Sequence, residues 1–362
     1  MNALEAQLNY PFADTLPATG SSVEVAPGIR WLRMGLPFAL NHINLWLLED
    51  ELPDANDVLQ RGWTIIDCGI SNEATRAAWE QIFANELRGL PVLRVIATHC
   101  HPDHVGLSQW LCQRWQVPLF MSAGEYAFAR MMSAGLPGAD GPSMVPHFKR
   151  HGLVDPDKLA QLQARKDYYP SLVPAVPESF HRLHDGMPLA IGGCQWQVIT
   201  GFGHSPEHVA LYCEKNQVLI SGDMVLPRIS TNVSVFAIEP EADAVGLFLS
   251  SLQKFASLPD NTLVLPSHGK PFRGLHTRIA QLNSHHIERL AEVLTACSTP
   301  QSAADIVPVM FARELDMHQL TFALGEALAH LHRLWRDGEL QRQVGTDGVL
   351  RFVSRACMFR NN

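Results

Sequence analysis

Three imidazoles and one carboxylate crowd into six consecutive positions of this chain, in Thr98-His99-Cys100-His101-Pro102-Asp103-His104. They follow directly on an apolar run, residues 92–97, that reads as a buried strand. Imidazoles and carboxylates at the end of a buried strand are costly unless they pair or bind a cation. If His99 and His101 continue the strand, they share one of its faces and can grip one metal together. Asp103 and His104 lie past the turn and can reach a second position. A protein metal site needs about three or four ligands, so further donors must come from elsewhere in the chain.

Three further donors stand where such donors are expected. His204 lies in Gly203-His204-Ser205-Pro206-Glu207-His208, Asp223 in Ser221-Gly222-Asp223, and His268 in Pro266-Ser267-His268-Gly269. Each follows an apolar run, and loops at strand ends are where α/β folds gather ligand-binding groups. The glycines beside them permit close backbone approach. The order of elements agrees. Residues 23–34 read as a hairpin turning at Pro27-Gly28, 42–48 as a strand followed by a polar loop over 49–61, and 63–67 as a short buried strand. A helix is expected over 73–87, with Ser71 or Asn72 as its cap. This βαβ alternation predicts a layered α/β architecture. Further strands are expected at 195–200, 208–213, 218–221 and 262–265, and a helix over 242–255.

Two segments depart from that pattern. Residues 121–190 are rich in Pro, Gly, Met and aromatic residues and read as an insertion, a lid over the metal cleft. From residue 276 onward, helical patterns at 277–296, 301–313 and 317–337 precede two strand-like runs, 339–344 and 349–353, joined by Gly345-Thr346-Asp347-Gly348. An Asp-Gly turn between such runs signals a hairpin, and three helices with a hairpin form a winged-helix pattern. The expected domains are thus a catalytic one over 1–275 and a winged-helix-like one over 276–362.

Taken together, T-H-C-H-P-D-H (98–104), G-H-S-P-E-H (203–208), S-G-D (221–223), P-S-H-G (266–269) and I-I-D-C-G (65–69) resemble the metallo-β-lactamase superfamily over roughly residues 22–275. The resemblance implies an α/β fold, the αββα sandwich of two mixed sheets flanked by helices. It assigns His99, His101 and His204 to one metal, Asp103, His104 and His268 to a second, and Asp223 to a bridge between them. Asp67 resembles the family's strand-end Asp that supports the site from behind, the alternative being a simple turn residue. His208, four residues after His204 on an expected strand, either supports the site from behind or is structural. Two divalent ions are expected, zinc foremost, although His and Asp donors suit iron or manganese equally. Two such ions can share a hydroxide and polarise a carbonyl. The expected reaction is therefore hydrolysis of an ester, thioester or lactone through a metal-bridging hydroxide, with Asp103 as the catalytic residue that orients it or carries its proton.

Composition separates this reading from its competitors. The alternatives are a nucleic-acid-binding or nuclease-type protein that uses the winged helix, and a metal-dependent redox enzyme. The 362-residue chain carries a net charge of −8, and residues 285–362 hold eight Arg and no Lys against five Glu and four Asp. That is no footprint for nucleic acid. Seven Cys without a C-x-x-C pair, an opening MNALEAQLNYPFADTLP without a basic-then-apolar leader, and no long apolar run suggest a cytoplasmic enzyme with no membrane partner. The apolar content of the lid suits a small-molecule substrate with an acyl or other apolar part. A homodimer is expected by analogy with related hydrolases carrying such a tail.

Overall fold

The computed structural model describes residues 3–54, 56–138 and 140–358. The extreme ends of both expected domains and the side chains of Cys357 and Met358 lie outside the described set. Two mixed sheets form the centre. The first contains β1 (Ser22–Ala26), β2 (Ile29–Gly35), β3 (His42–Pro53), β4 (Leu59–Ile66), β5 (Val92–Ile96), β6 (Leu119–Ser122) and β7 (His181–Leu183), adjacent in that order. Its first four strands pair antiparallel and its last three run parallel to β4. The second sheet has the order β12-β11-β10-β9-β8, from β8 (Pro188–Ile191), β9 (Cys194–Gly201), β10 (His208–Cys213), β11 (Val218–Gly222) and β12 (Leu263–Pro266).

Strand periodicity explains the layering. Successive side chains of a strand point to opposite faces. In β3, Trp46 and Leu48 join Trp31, Ile66, Trp196, Val209 and Ile220 in a core between the two sheets. Leu45 and Leu47 of the same strand point the other way, toward Trp79 and Ile82 of α1 (Glu73–Asn85). Helix α1 starts where Asn72 accepts a hydrogen bond from the Thr75 amide at 2.8 Å. The outer face of the second sheet packs on α8 (Ala244–Ala256), α9 (Leu275–Ala296) and α11 (Met317–Arg336). Helix layers therefore cover both outer faces, and the mixed sheets expected from the sequence are present.

One stretch differs from the expected pattern. Residues 49–61 hold the end of β3 and the start of β4 rather than one polar loop. Polar residues misled there, because Asp50 is buried. It pairs with Arg94 at 2.7 Å and accepts from Thr64 at 2.5 Å.

Between the sheets' main strands, residues 121–190 contribute the ends of β6 and β8, all of β7, and four helices: α4 (Ala123–Ser133), α5 (Gly141–Arg150), α6 (Pro156–Gln163) and α7 (Tyr168–Leu172). The short helices α2 (Pro102–Val105) and α3 (Ser108–Trp115) follow β5. The C-terminal region consists of α9, α10 (Ala303–Met310), α11, the antiparallel pair β13 (Leu340–Val344) and β14 (Leu350–Ser354), and α12 (Arg355–Met358). Leu320, Leu324, Leu328 and Leu331 form one buried face of α11.

Buried histidines lock this region to the rest of the chain. His330 Nδ1 donates to the Glu326 carbonyl at 2.8 Å, so its Nε2 accepts from His286 Nδ1 at 3.2 Å. His286 also packs against Phe248 of α8. Burial pushes the His286 pKa down to about 3 and that of His330 down to about 4. Both values lie below that of an unfolded histidine, so the folded state binds fewer protons. The stability they contribute is fully present above about pH 6.5 and is lost as pH falls toward 4 and 3. Acidification to pH 5 should therefore cost on the order of 1–2 kcal/mol per histidine. His286→Gln should show a shallower fall in Tm between pH 7 and pH 5 than the parent chain, and equal slopes would contradict this account.

Candidate metal centre

The parallel strands converge at one edge of the sandwich, where five chain segments leave the sheets. Asp67 follows β4, residues 98–104 follow β5, His204 follows β9, Asp223 follows β11 and His268 follows β12. All seven expected ligands meet there in two groups. His99, His101, His204 and Asp223 bring one ligand atom each to within 4.8 Å of one another, and Asp103, His104 and His268 do the same. His99 Nε2 lies 2.8 Å from His101 Nδ1 and 3.3 Å from His204 Nε2. Asp223 stands between the groups. Its Oδ2 is 3.5 Å from His204 Nε2, and its Oδ1 is 3.6 Å from His104 Nε2 and 3.5 Å from His268 Nε2. Asp103 Oδ2 approaches His268 Nε2 at 3.4 Å and His104 Nε2 at 3.8 Å.

His99 and His101 reach this point by another route than the expected one. Strand β5 ends at Ile96, so both sit in the loop beyond it. The loop is fixed from below by Asp67. One carboxylate oxygen accepts from the Thr98 amide at 2.7 Å; the other accepts from the Thr98 hydroxyl at 2.9 Å and from His104 Nδ1 at 2.7 Å.

The His204 and His268 rings are each set by a backbone carbonyl on the far side. His204 Nδ1 donates to the Asn232 carbonyl and His268 Nδ1 to the His42 carbonyl, both at 2.7 Å. With Nδ1 occupied, Nε2 carries the lone pair that faces the centre, which is the arrangement that tunes metal-binding histidines. His208 Nε2 accepts from the Asp223 amide at 3.0 Å and so fixes the backbone that carries the Asp223 carboxylate. Only glycine fits at position 222, where φ is +52° and an added Cβ would stand 2.3 Å from the His208 ring.

The electrostatics ask for a cation. Burial, reinforced by neighbouring imidazoles, drives the His99 pKa well below 6.5; burial does the same at His101 and His208. These rings stay neutral and keep their lone pairs. At His104, burial opposes protonation, but Asp67, Asp103 and Asp223 outweigh it and hold the pKa up at about 10. At His268, Asp223 and Asp103 likewise overcome burial and raise the pKa. At Asp223 burial favours the neutral acid, yet His268 and His104 hold the pKa well below the usual carboxylate range. Among the described residues, no lysine or arginine pairs with Asp67, Asp103 or Asp223, whose ion-pair partners are all histidines. His104 Nε2 and Asp223 Oδ1 are moreover buried without a hydrogen-bond partner. Divalent cations fit both observations, and the donor set suits them.

Several supporting residues escaped sequence reasoning. Glu125 of α4 is fully buried and joins the two ligand loops: it accepts from the Cys100 amide at 2.8 Å, the Ser205 hydroxyl at 2.5 Å and the Glu207 amide at 2.7 Å. Tyr169 donates to the Cys100 carbonyl at 2.5 Å. The 121–190 segment therefore holds the 98–104 loop in place. Asn44 donates to the carbonyls of Pro266 and Gly269, and His42 Nε2 accepts from the Gly269 amide. His42 and Asn44 share one face of β3 by their i, i+2 spacing, the one local signal that could have marked them.

The family model described as Metallo-beta-lactamase superfamily matches residues 58–268, and the one described as Metallo-beta-lactamase-like, C-terminal domain matches residues 290–355. The chain belongs to the metallo-beta-lactamase superfamily. It is similar to a solved beta-lactamase domain protein from Burkholderia ambifaria, 59% identical with a TM-score of 0.91, covering 98% of this chain and 100% of that one. A metallo-beta-lactamase family protein from Thermus thermophilus is 27% identical with a TM-score of 0.74, over 92% and 100% of the two chains. The probable metallo-hydrolase YqjP of Bacillus subtilis is 25% identical over 308 residues, 83% of this chain and 90% of that protein. Homologues named metallo-hydrolases and the converging donors support a metal-dependent hydrolase.

Glu125→Ala would leave three buried donors without their acceptor and loosen both ligand loops. Chelator competition should then show metal affinity lowered roughly 10- to 100-fold, with Glu125→Gln in between. Unchanged affinity in Glu125→Ala would remove Glu125 from the support of the centre.

Proposed function

We propose that this chain is a dinuclear hydrolase that opens an ester, thioester or lactone carried on an apolar body. The observation that carries this reading is the cavity joined to the metal centre. It encloses about 280 Å³ and is walled by Phe128, Met132, Met144, Leu162, Phe202 and Phe236, while His101 and His204 belong to both cavity and metal group. An apolar chamber that ends on a donor cluster suits a substrate with an acyl or aryl body and one polar, reactive end.

His99, His101 and His204, with Asp223, would hold one ion, and Asp103, His104 and His268, with Asp223, the other. Two bound divalent ions, zinc in our reading, supply Lewis acidity and make water nucleophilic at neutral pH. The chain's own residues do the rest. The neutral imidazoles of His99 and His101 offer lone pairs without losing a proton first. Asp223 presents one oxygen to each group. Asp103, 18% exposed along its side chain, is the one carboxylate of the site open enough to hold and pass a proton to the leaving group. Helices α4 to α7 exclude bulk water from the reacting end and select the substrate, the role expected of a lid.

The C-terminal region, which we read as winged-helix-like, completes the chamber rather than binding nucleic acid. Arg333 pairs with Asp243 and Asp337, Arg342 pairs with Glu241, and Arg336 donates to the Glu241 carbonyl, so these basic side chains are engaged within the chain. Thr321 and Phe322 of α11 line the cavity. Six cysteines with described side chains are free thiols, which fits a reducing, cytoplasmic setting. No helix of the described residues is long and apolar enough to cross a membrane.

Metal-loaded protein tested on matched acyl esters, thioesters, lactones and phosphodiesters should turn over the carbonyl substrates, favouring medium-length apolar acyl groups. Met132→Glu, which puts a charge into the cavity wall, should raise KM for those substrates about tenfold or more at unchanged metal content. Turnover confined to phosphodiesters, or a KM indifferent to Met132, would overturn the proposal.

A further inference from the structure

The cavity wall is mostly apolar, and among the described residues it also carries two carboxylates, Asp140 and Glu239, and two basic side chains, Arg165 and Lys166. Arg165 and Lys166, just beyond α6, are its only lysine or arginine residues among the described residues. Neither has a carboxylate within 4.0 Å among the described residues, whereas Arg333 and Arg342 of the C-terminal region are both paired. Arg165 is nevertheless held in place. Its guanidinium lies 4.0 Å over the Tyr168 ring, and one of its nitrogens donates to His318 Nδ1 at 3.3 Å. Tyr168 Oη also lies 3.3 Å from the same Nδ1. A guanidinium can only donate, so Nδ1 of His318 must be the acceptor. Two donors thus share one lone pair, each at the long end of hydrogen bonding. His318 comes from α11 of the C-terminal region and is stacked on Phe38 at 5.3 Å, which fixes its ring. Arg165, Tyr168 and His318 line the same cavity as His101 and His204.

We infer that Arg165, with Tyr168 and His318, forms the recognition site for a second, anionic group of the substrate, a carboxylate or a phosphate on the far end of its apolar body. A planar guanidinium stacked on an aromatic ring, with most of its donors unspent, is preorganised for a planar or tetrahedral oxyanion. Such an anion would be a better acceptor for Arg165 and Tyr168 than the shared imidazole lone pair. The apolar wall between this site and His101 and His204 would hold the linking chain. The exposed Leu136, Ile238 and Leu247 at the cavity continue that apolar surface outward. The substrate class is then an amphiphilic acid whose ester, thioester or lactone lies at the metals while its anion rests on Arg165.

This inference rests on the hydrolase reading for the identity of the reacting end, so its test uses compounds that cannot be hydrolysed. Three ligands serve: a medium-chain methyl ketone, the same ketone ending in a carboxylate, and the same ketone ending in a phosphate. Calorimetry on the metal-loaded full chain should give at least one anionic ketone an affinity about tenfold or more above that of the neutral ketone. The tighter of the two identifies the anion. In Arg165→Gln that ratio should fall to about one, and Arg165→Lys, which keeps the charge but not the fork, should lie between, all at equal metal content. Equal affinities for all three ligands in the parent chain would overturn the inference. So would an anion preference that survives Arg165→Gln, since the metals would then be holding the anion. Failure of the hydrolase reading would appear separately, as absence of turnover on the ester panel.

Discussion

Asp67 is the residue on which the centre depends. It leaves the end of β4 at φ +63°, an unfavourable conformation for a residue with a side chain. The cost is on the order of 1–2 kcal/mol. Three hydrogen bonds, to Thr98 twice and to His104, offset it. Through them one carboxylate joins the ends of two parallel strands, sets the first turn of the ligand loop and orients His104. A parallel pair places both strand ends at the same edge, so the register of β4 on β5 is also the register of the metal centre.

From that edge inward, the molecule divides its tasks by layer. The two sheets place donors. The residues behind them, His208, Asn44, His42 and Glu125, fix rotamers and backbone without reaching the centre. The helices of 121–190 and of the C-terminal region build the chamber in front. Because Glu125 and Tyr169 also hold the loop, the chamber and the centre are coupled: changes in α4 or α7 reach the metals as well as the substrate. The donors stand at the strand ends of the sheets, while the cavity is lined largely by residues of the 121–190 helices, of the 202–247 stretch and of α11.

Much of the centre was legible in the sequence because its donors are dense or stand at the ends of apolar runs. Residues 98–104 and the glycine-flanked His204, Asp223 and His268 carry that signal. The α1 cap at Asn72 and the hairpins were legible because their rules are local. What escaped was set by contacts between distant residues. Glu125 carries no local mark within the 121–190 insertion until Ser205, 80 positions away, is beside it. Asp50 reads as loop until Arg94 neutralises it. Arg165 reads as surface until His318, 153 positions away, closes the cavity wall. The same limit explains why His99 and His101 were expected on the strand: alternation predicts a shared face, but the turn imposed by Asp67 comes first.

The central claim is that seven residues form one site for two ions, bridged by Asp223. Elemental analysis of fully reconstituted protein tests it most directly, read together with Asp223→Ala. The account predicts two metal ions per chain in the parent and a loss in Asp223→Ala greater than in either His204→Ala or His268→Ala, because Asp223 alone serves both ions. One ion per chain in the parent, or two ions retained in Asp223→Ala, would contradict it.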